Sequence, residues 1–285
     1  MIELAAEIEE LVASALAEDV GAGDITAEAT VPEDARARAR IVQKQPGVVY
    51  GLAVVAEVMR QCGVEDVDNL VVEGQWREDV PADVLLATGS ARGLLAAERT
   101  AINFLGHLSG VATLTARYAE AVLGTGTTIL DTRKTTPGLR HLEKAAVAAG
   151  GGINHRMGLY DAILIKENHI AAAGGLAKAV YAARNAEPEK AIEVEARNLD
   201  ETAYALGMGV DRILLDNMGP DQLREAVALR DENAGGPSGV SLEASGGVTL
   251  DNVREIAETG VEFISIGALT HSAATLDFSM LLEQF

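Results

Sequence analysis

From residue 128 onward the chain keeps one rhythm: a short apolar run, a polar end, then a helical stretch. Six runs do this: Thr128-Ile129-Leu130, Ala162-Ile163-Leu164-Ile165, Ala191-Ile192-Glu193-Val194, Arg212-Ile213-Leu214-Leu215, Val240-Ser241-Leu242 and Phe263-Ile264-Ser265-Ile266. Their starts lie roughly 20 to 35 residues apart, the length of a strand, a helix and the loops of a right-handed crossover. Repeated βα units that close on themselves make a (β/α) barrel; a doubly wound sheet is the alternative. No early Gly-x-Gly-x-x-Gly turn is present, which disfavours a dinucleotide-binding sheet.

The residues before this rhythm read differently. Leu4, Ile8, Leu11, Val12, Ala15 and Leu16 fall at helical spacing among glutamates, and Gly21, Gly23 and Asp24 stop the helix. Short apolar or alternating runs follow at Arg38 to Lys44, Val48 to Leu52 and Asp83 to Thr88, punctuated by Gly and Pro. They predict a small α+β domain with an antiparallel sheet. A long helical pattern then runs from about Leu94 to Leu123, with Ile102, Leu105, Leu108, Val111 and Leu114 every third residue; Ile102 and Leu105, close to Arg99, are expected to need a partner's surface. The expected division is a sandwich domain over residues 1–110, joined by the C-terminal tail 271–285, and a barrel over 111–270.

Charge narrows the function. The formal net charge is −20, which repels nucleic acids and anionic membranes unless positive charge is concentrated locally. Six of the 23 cations are Lys, the acidic, lysine-poor balance expected of a salt-adapted (halophilic) cytoplasmic protein. The first twenty residues are too acidic for a secretory signal, and no uncharged stretch has the apolarity of a membrane span. Cys62 is the sole cysteine, so an intrachain disulfide and a cysteine zinc cluster are excluded; its apolar neighbours predict a buried thiol. Against this acidic background, residues 131 to 167 hold six cations (Arg133, Lys134, Arg140, Lys144, Arg156, Lys166) and four acids, with His141 and His155. An anionic substrate explains such a surplus, because Arg offers carboxylate or phosphate a planar fork and Lys a point charge. Arg140 and Lys144, one helical turn apart beside Glu143, are equally well read as salt-bridge partners.

Barrel chemistry gathers at the C-terminal ends of strands. Here those ends carry Asp131, Thr132, Arg133 and Lys134; Lys166, Glu167, Asn168 and His169; Glu193 and Glu195; Asp216 and Asn217; Glu243 and Ser245; and Gly267 with Ala268. The turns Ser245-Gly246-Gly247 and Ile266-Gly267-Ala268 are small enough for backbone N–H groups and a following helix N-terminus to approach a phosphate. Glu195 and Asp216 close neighbouring strands, where paired carboxylates hold Mg²⁺, bind sugar hydroxyls, do acid–base work or balance Lys166. No zinc spacing, Walker loop or serine-hydrolase elbow is present.

At these residues the sequence resembles the quinolinate phosphoribosyltransferase family. The matching segments are Glu98 to Leu105, Asp131-Thr132-Arg133-Lys134-Thr135 through Arg140, and Gly150-Gly151-Gly152 leading into His155-Arg156. Further matches are Leu164-Ile165-Lys166-Glu167-Asn168-His169-Ile170, Ile192 to Glu195, Leu214 to Asn217, and Glu243 to Gly247. They cover nearly the whole chain in order. Glu167 is usually Asp in the family and Ile102 usually Leu, both mild departures; His107 also departs from the family pattern.

The resemblance implies an N-terminal α/β sandwich followed by an incomplete barrel. It implies transfer of the phosphoribosyl group from phosphoribosyl pyrophosphate to quinolinate with loss of CO₂, using Mg²⁺, in NAD biosynthesis. It places Arg133, Arg156 and Lys166 on the two carboxylates, with His155 beside them and Arg99 entering from a partner subunit of a homodimer. It assigns ribose and hydrated Mg²⁺ to Glu195 and Asp216, the leaving pyrophosphate to Lys134 and Lys166, and the 5′-phosphate to the late glycine turns. Rival readings are a molybdenum-associated paralogue, a non-catalytic sensor of a phosphorylated ligand on the same fold, and a barrel lyase using Lys166 as a Schiff base.

Overall fold

A computed structural model describes residues 2–64, 66–233 and 239–284. The chain forms two compact units. The first comprises Met1–Ala116, Thr136–Gly151 and Ser272–Phe285; the second comprises Arg117–Thr135 and Gly152–His271.

In the first unit, α1 (Ile2–Asp19) is followed by α2 (Ile25–Thr30). Asp24 caps α2, its carboxylate accepting the Thr26 and Ala27 N–H groups at 3.0 Å each. Strand β1 (Arg36–Gln43) alternates as its sequence predicts, burying Ala37, Ala39 and Ile41 completely. The run at Val48 to Leu52 is not one strand: β2 is only Gly47–Val48, and Leu52 already opens α3 (Leu52–Gln61). Gly51, with φ at 114°, makes the change of direction that an apolar run alone cannot reveal. Strands β3 (Asp66–Asn69), β4 (Trp76–Arg77) and β5 (Ala82–Ser90) follow. Cys62 caps α3 half-buried rather than fully enclosed, and burial pushes its thiol pKa up.

Helix α4 (Ala91–Ala121) is 31 residues long, and α5 is Arg140–Ala149. Ile102 and Leu105, which the sequence suggested would need a partner's surface, are 8% and 0% exposed within this chain alone. Gly106 and Gly110 let residues 274–276 lie against α4; a Cβ on Gly110 would sit 2.2 Å from the Ala274 carbonyl oxygen. That approach delivers the tail to the sheet as β12 (Phe278–Gln284). The sheet order is β12-β1-β5-β3, antiparallel throughout.

The second unit contains β6 (Thr128–Leu130), β7 (Ile163–Ile165), β8 (Ile192–Ala196), β9 (Arg212–Asp216), β10 (Ser241–Ser245) and β11 (Phe263–Ser265). Each coincides, within two or three residues at either end, with one of the six apolar runs. The order is β6-β11-β10-β9-β8-β7, with every neighbour parallel. Chain order thus runs around a ring without the reversal of a doubly wound sheet, and the ring is interrupted between β6 and β7. This is an incomplete α/β barrel. At the gap Ile153 alone bridges to β6: its N–H donates to the Ile129 oxygen at 2.9 Å, and its oxygen accepts from Asp131 at 3.3 Å. Contacts divide the chain differently from its linear rhythm. The expected step at 110/111 falls inside α4, and the segment after β6 that carries α5 belongs to the first unit.

Candidate active site

In a strand, residues two apart share a face. That periodicity sends Leu164 and Lys166, Leu214 and Asp216, Glu243 and Ser245, with Glu195 and Ser265, into one cavity of about 350 Å³ in the second unit. Thr132, Arg133 and Lys134 from the end of β6, and His155 and Arg156 from the loop after Ile153, complete it. A second cavity of about 250 Å³ shares Thr132, Lys134, Ser245 and Ser265 with the first and extends along Gly246, Gly247, Gly267 and Ala268. Every residue proposed from the sequence for this site lines one of the two, except Arg99. Arg99 is exposed on α4 in the first unit. Arg140 and Lys144 lie on α5 and line neither cavity; Lys144 is wholly buried.

The cationic wall is tightly packed. Burial and the neighbouring Arg133 guanidinium lower the proton affinity of Arg156. Arg156 is steadied by donating from Nη1 to the Ala162 oxygen at 3.1 Å. Its loop is closed by Asp161, which accepts from the Met157 and Gly158 N–H groups at 2.7 and 2.9 Å. Lys166 pairs with Glu195 across β7 and β8. Its own N–H donates to His169 Nδ1 at 2.9 Å, fixing the turn into α6 (Glu167–Ala173).

The glycine turns fit a compact anion. Gly246 and Gly247 both have positive φ, and a Cβ on Gly246 would meet Asn217 Oδ1 at 2.2 Å. Asn217 is itself left-handed at φ 56° and donates from Nδ2 to Asp216 Oδ2 at 2.9 Å. A Cβ on Gly267 would crowd the Lys134 side chain at 3.1 Å, so glycine there keeps this lysine beside the turn. The helices expected to follow these turns are short: Val253–Ala257 has five residues and Ala268–His271 four.

Three acids that stand at strand ends, and to which the sequence assigned no role, gather around His155. Asp131 is fully buried and accepts the His155 N–H at 2.9 Å. Glu193 accepts from His155 Nε2 at 2.9 Å, and Glu243 lies 3.6 Å from the same nitrogen. Arg212 donates to Glu243 at 3.0 Å and lies 4.0 Å over the Phe263 ring. Burial opposes charge on His155, but the bond to Glu193 and the nearby Glu243 outweigh it and raise its pKa.

Burial and Glu193 push the Glu243 carboxyl from its ordinary 4.5 up to about 7, against the pull of His155, Ser265 and Arg212. The folded state therefore holds this proton more tightly than the unfolded chain. The stability it brings is fully present below about 4.5 and is lost as pH rises through about 7. Glu243→Gln keeps the uncharged form at every pH. The melting temperature of wild type relative to this variant is expected to fall between about pH 5 and about pH 8. Melts whose difference does not change with pH would show that Glu243 titrates alike in both states.

The whole chain has close relatives. The sequence matches "Quinolinate phosphoribosyl transferase, N-terminal domain" over residues 24–109 and the corresponding C-terminal domain over residues 111–281. The chain belongs to the quinolinate phosphoribosyl transferase family. A relative from Mycobacterium leprae, "Nicotinate-nucleotide pyrophosphorylase [carboxylating]", is 45% identical over 269 residues, covering 93% of this chain and 94% of its own. The chloroplastic protein of that name from Arabidopsis thaliana is 39% identical over 302 residues, covering 97% and 83%. The solved nicotinate-nucleotide pyrophosphorylase from Francisella tularensis superposes with a TM-score of 0.91 at 38% identity, over 98% of this chain and 97% of its own. Family membership fits the antiparallel first unit and the interrupted barrel. No helix of the described residues is long and apolar enough to cross a membrane.

Proposed function

We propose that this chain transfers the phosphoribosyl group of phosphoribosyl pyrophosphate to the ring nitrogen of quinolinate. CO₂ is then released to give nicotinate mononucleotide and pyrophosphate for NAD biosynthesis. The observation that carries this reading is the convergence of Arg133, Arg156 and Lys166 on one cavity that runs on into the glycine turns. A planar ring with two adjacent carboxylates suits the first part and a sugar 5′-phosphate the second.

The residues support a reaction made of positioning and charge. Bond breaking between C1 of ribose and the pyrophosphate oxygen leaves a cationic sugar carbon, and Glu195 and Asp216 are the carboxylates placed to tolerate it. Lys134 and Lys166 receive charge as pyrophosphate departs. The pyridine nitrogen supplies the new bond to C1. The resulting pyridinium draws in the electron pair released when the bond to the C2 carboxylate breaks, and that carbon takes up a proton. No side chain forms a covalent intermediate. A Schiff base is disfavoured because Lys166 is held in its ion pair with Glu195.

Glu195 and Asp216 also fit a hydrated Mg²⁺, a hard cation that keeps several waters and takes one or two carboxylates with substrate phosphates. When bound, Mg²⁺ supplies charge neutralisation to the pyrophosphate. The same reading includes a homodimer in which Arg99 of one subunit completes the other's clamp. The exposure of Arg99 on α4 leaves it available for this; the burial of Ile102 and Leu105 within the chain gives it no support. A cytoplasmic setting belongs with substrates this highly charged.

The test is to mix protein, phosphoribosyl pyrophosphate and Mg²⁺ with quinolinate, then to assay CO₂ and nicotinate mononucleotide. Nicotinate, with one carboxylate, is expected to be a very poor substrate. Comparable turnover of the two acids would defeat the assignment.

A further inference from the structure

A barrel interior is ordinarily filled with branched aliphatic side chains. Under this clamp it instead holds Glu193, 7% exposed, and Glu243, 0% exposed, with Arg212 and His155. Burying ionisable groups is costly before pairing offsets it. The offset is incomplete: Glu193 Oε1 is buried without a hydrogen-bond partner among the described residues. An aliphatic layer would be the more stable filling, so the cluster needs a reason other than packing.

The bonds supply one. In the neutral ring His155 Nδ1 accepts the N–H of Arg156 at 2.7 Å, which leaves Nε2–H as the donor to Glu193. Past the Ile153 bridge, residues 154–156 belong to no helix or strand. This backbone is tied by Asp131 to the His155 N–H and by the His155 ring to the Arg156 N–H. A hydrogen bond at the other ring nitrogen fixes the tautomer and the ring plane that this tie uses.

We propose that Glu193 is a positioning residue for the Arg156 limb of the dicarboxylate clamp, acting through His155. This rests on the reading that the cavity binds quinolinate. Glu193 touches no substrate in this scheme. It selects the Nε2–H tautomer and fixes the ring plane, and Nδ1 passes that constraint to the backbone carrying Arg156. Glu243, with Arg212 behind it, flanks the same Nε2 and closes the other side of the ring.

The experiment is calorimetric binding of quinolinate to the full-length protein, with thermal melts as a control for folding. Glu193→Met, which removes the acceptor but fills the space, is expected to weaken quinolinate binding about ten-fold. Glu193→Gln retains an acceptor oxygen and is expected to restore most of that loss. The affinity for phosphoribosyl pyrophosphate should change by less than about two-fold in both. In a His155→Ala background, Glu193→Met should cost nothing further, because the path it acts through is gone. Equal quinolinate binding by wild type and Glu193→Met, or a full ten-fold effect that persists without His155, overturns the proposal. Wild-type protein that does not bind quinolinate at all defeats the functional reading instead.

A second measurement needs no substitution in the barrel floor. With ¹⁵N-histidine labelling, five ring systems are to be resolved. The His155 ring, assigned from its loss in His155→Ala, is read at a pH above its own titration, where it is expected in the Nε2–H tautomer, with that proton slow to exchange. A protonated Nδ1 or a rapidly exchanging Nε2 proton overturns the proposal even if Glu193→Met fails to fold.

Discussion

Arg133→Ala is expected to weaken quinolinate binding by about 2–5 kcal/mol, the usual loss when one partner of a buried, hydrogen-bonded charge pair is truncated. The size follows from where Arg133 sits. It lines the cavity beside Arg156, close enough that the two guanidiniums disfavour one another. A dianion relieves that repulsion when it binds, and removing one guanidinium leaves a carboxylate desolvated against a single remaining fork. Arg133→Lys should recover only part of the loss, because a point charge cannot reproduce two parallel N–H donors. Titration calorimetry on the folded variant checks both. Unchanged affinity in Arg133→Ala would return this residue to a structural role.

Activity is expected to reappear when two dead proteins are mixed. Arg99→Ala and Lys166→Ala should each abolish turnover in the homodimer proposed above. Closed two-fold pairing builds two sites, each using Lys166 of one subunit and Arg99 of the other. In a mixed dimer one site carries both substitutions and the other neither. After subunit exchange, verified by mass or by a tag on one partner, up to about half of the mixed dimer's sites should turn over. If exchange occurs and no activity returns, Arg99 does not serve a neighbouring subunit.

Much of the site was legible because its construction is local. Lys166, Asp216 and Ser245 each stand just beyond or at the end of an apolar run, and period-two alternation carries them inward together. The glycines of the two late turns were readable for the same reason. Glu193, Glu243 and Asp131 were visible as acids at strand ends, but their role was not. Asp131 and His155 are 24 residues apart and Arg212 and Glu243 are 31 apart, and no local signal records which acid ends beneath which ring. The sequence could find that layer only as glutamates at positions where a barrel strand ordinarily places aliphatic residues.

The same distinction separates the elements that were anticipated from those that were not. Strands β6 to β11 and the long helix α4 follow from hydrophobic period and turn residues within a few positions of each. The Val48 to Leu52 run leaves its strand after Val48 and enters α3 at Leu52 because Gly51 turns the chain there, and Ile102 and Leu105 found burial inside their own chain. The amino-acid sequence by itself determined the barrel rhythm, the inward cations and the family, because periodicity and motif spacing are properties of neighbouring residues. Tertiary structure alone decided where the barrel stays open, that α5 joins the first unit, and that buried carboxylates lie beneath the clamp. Each of those depends on which distant segments share the limited space of a core, and packing settles that only when the whole chain is folded.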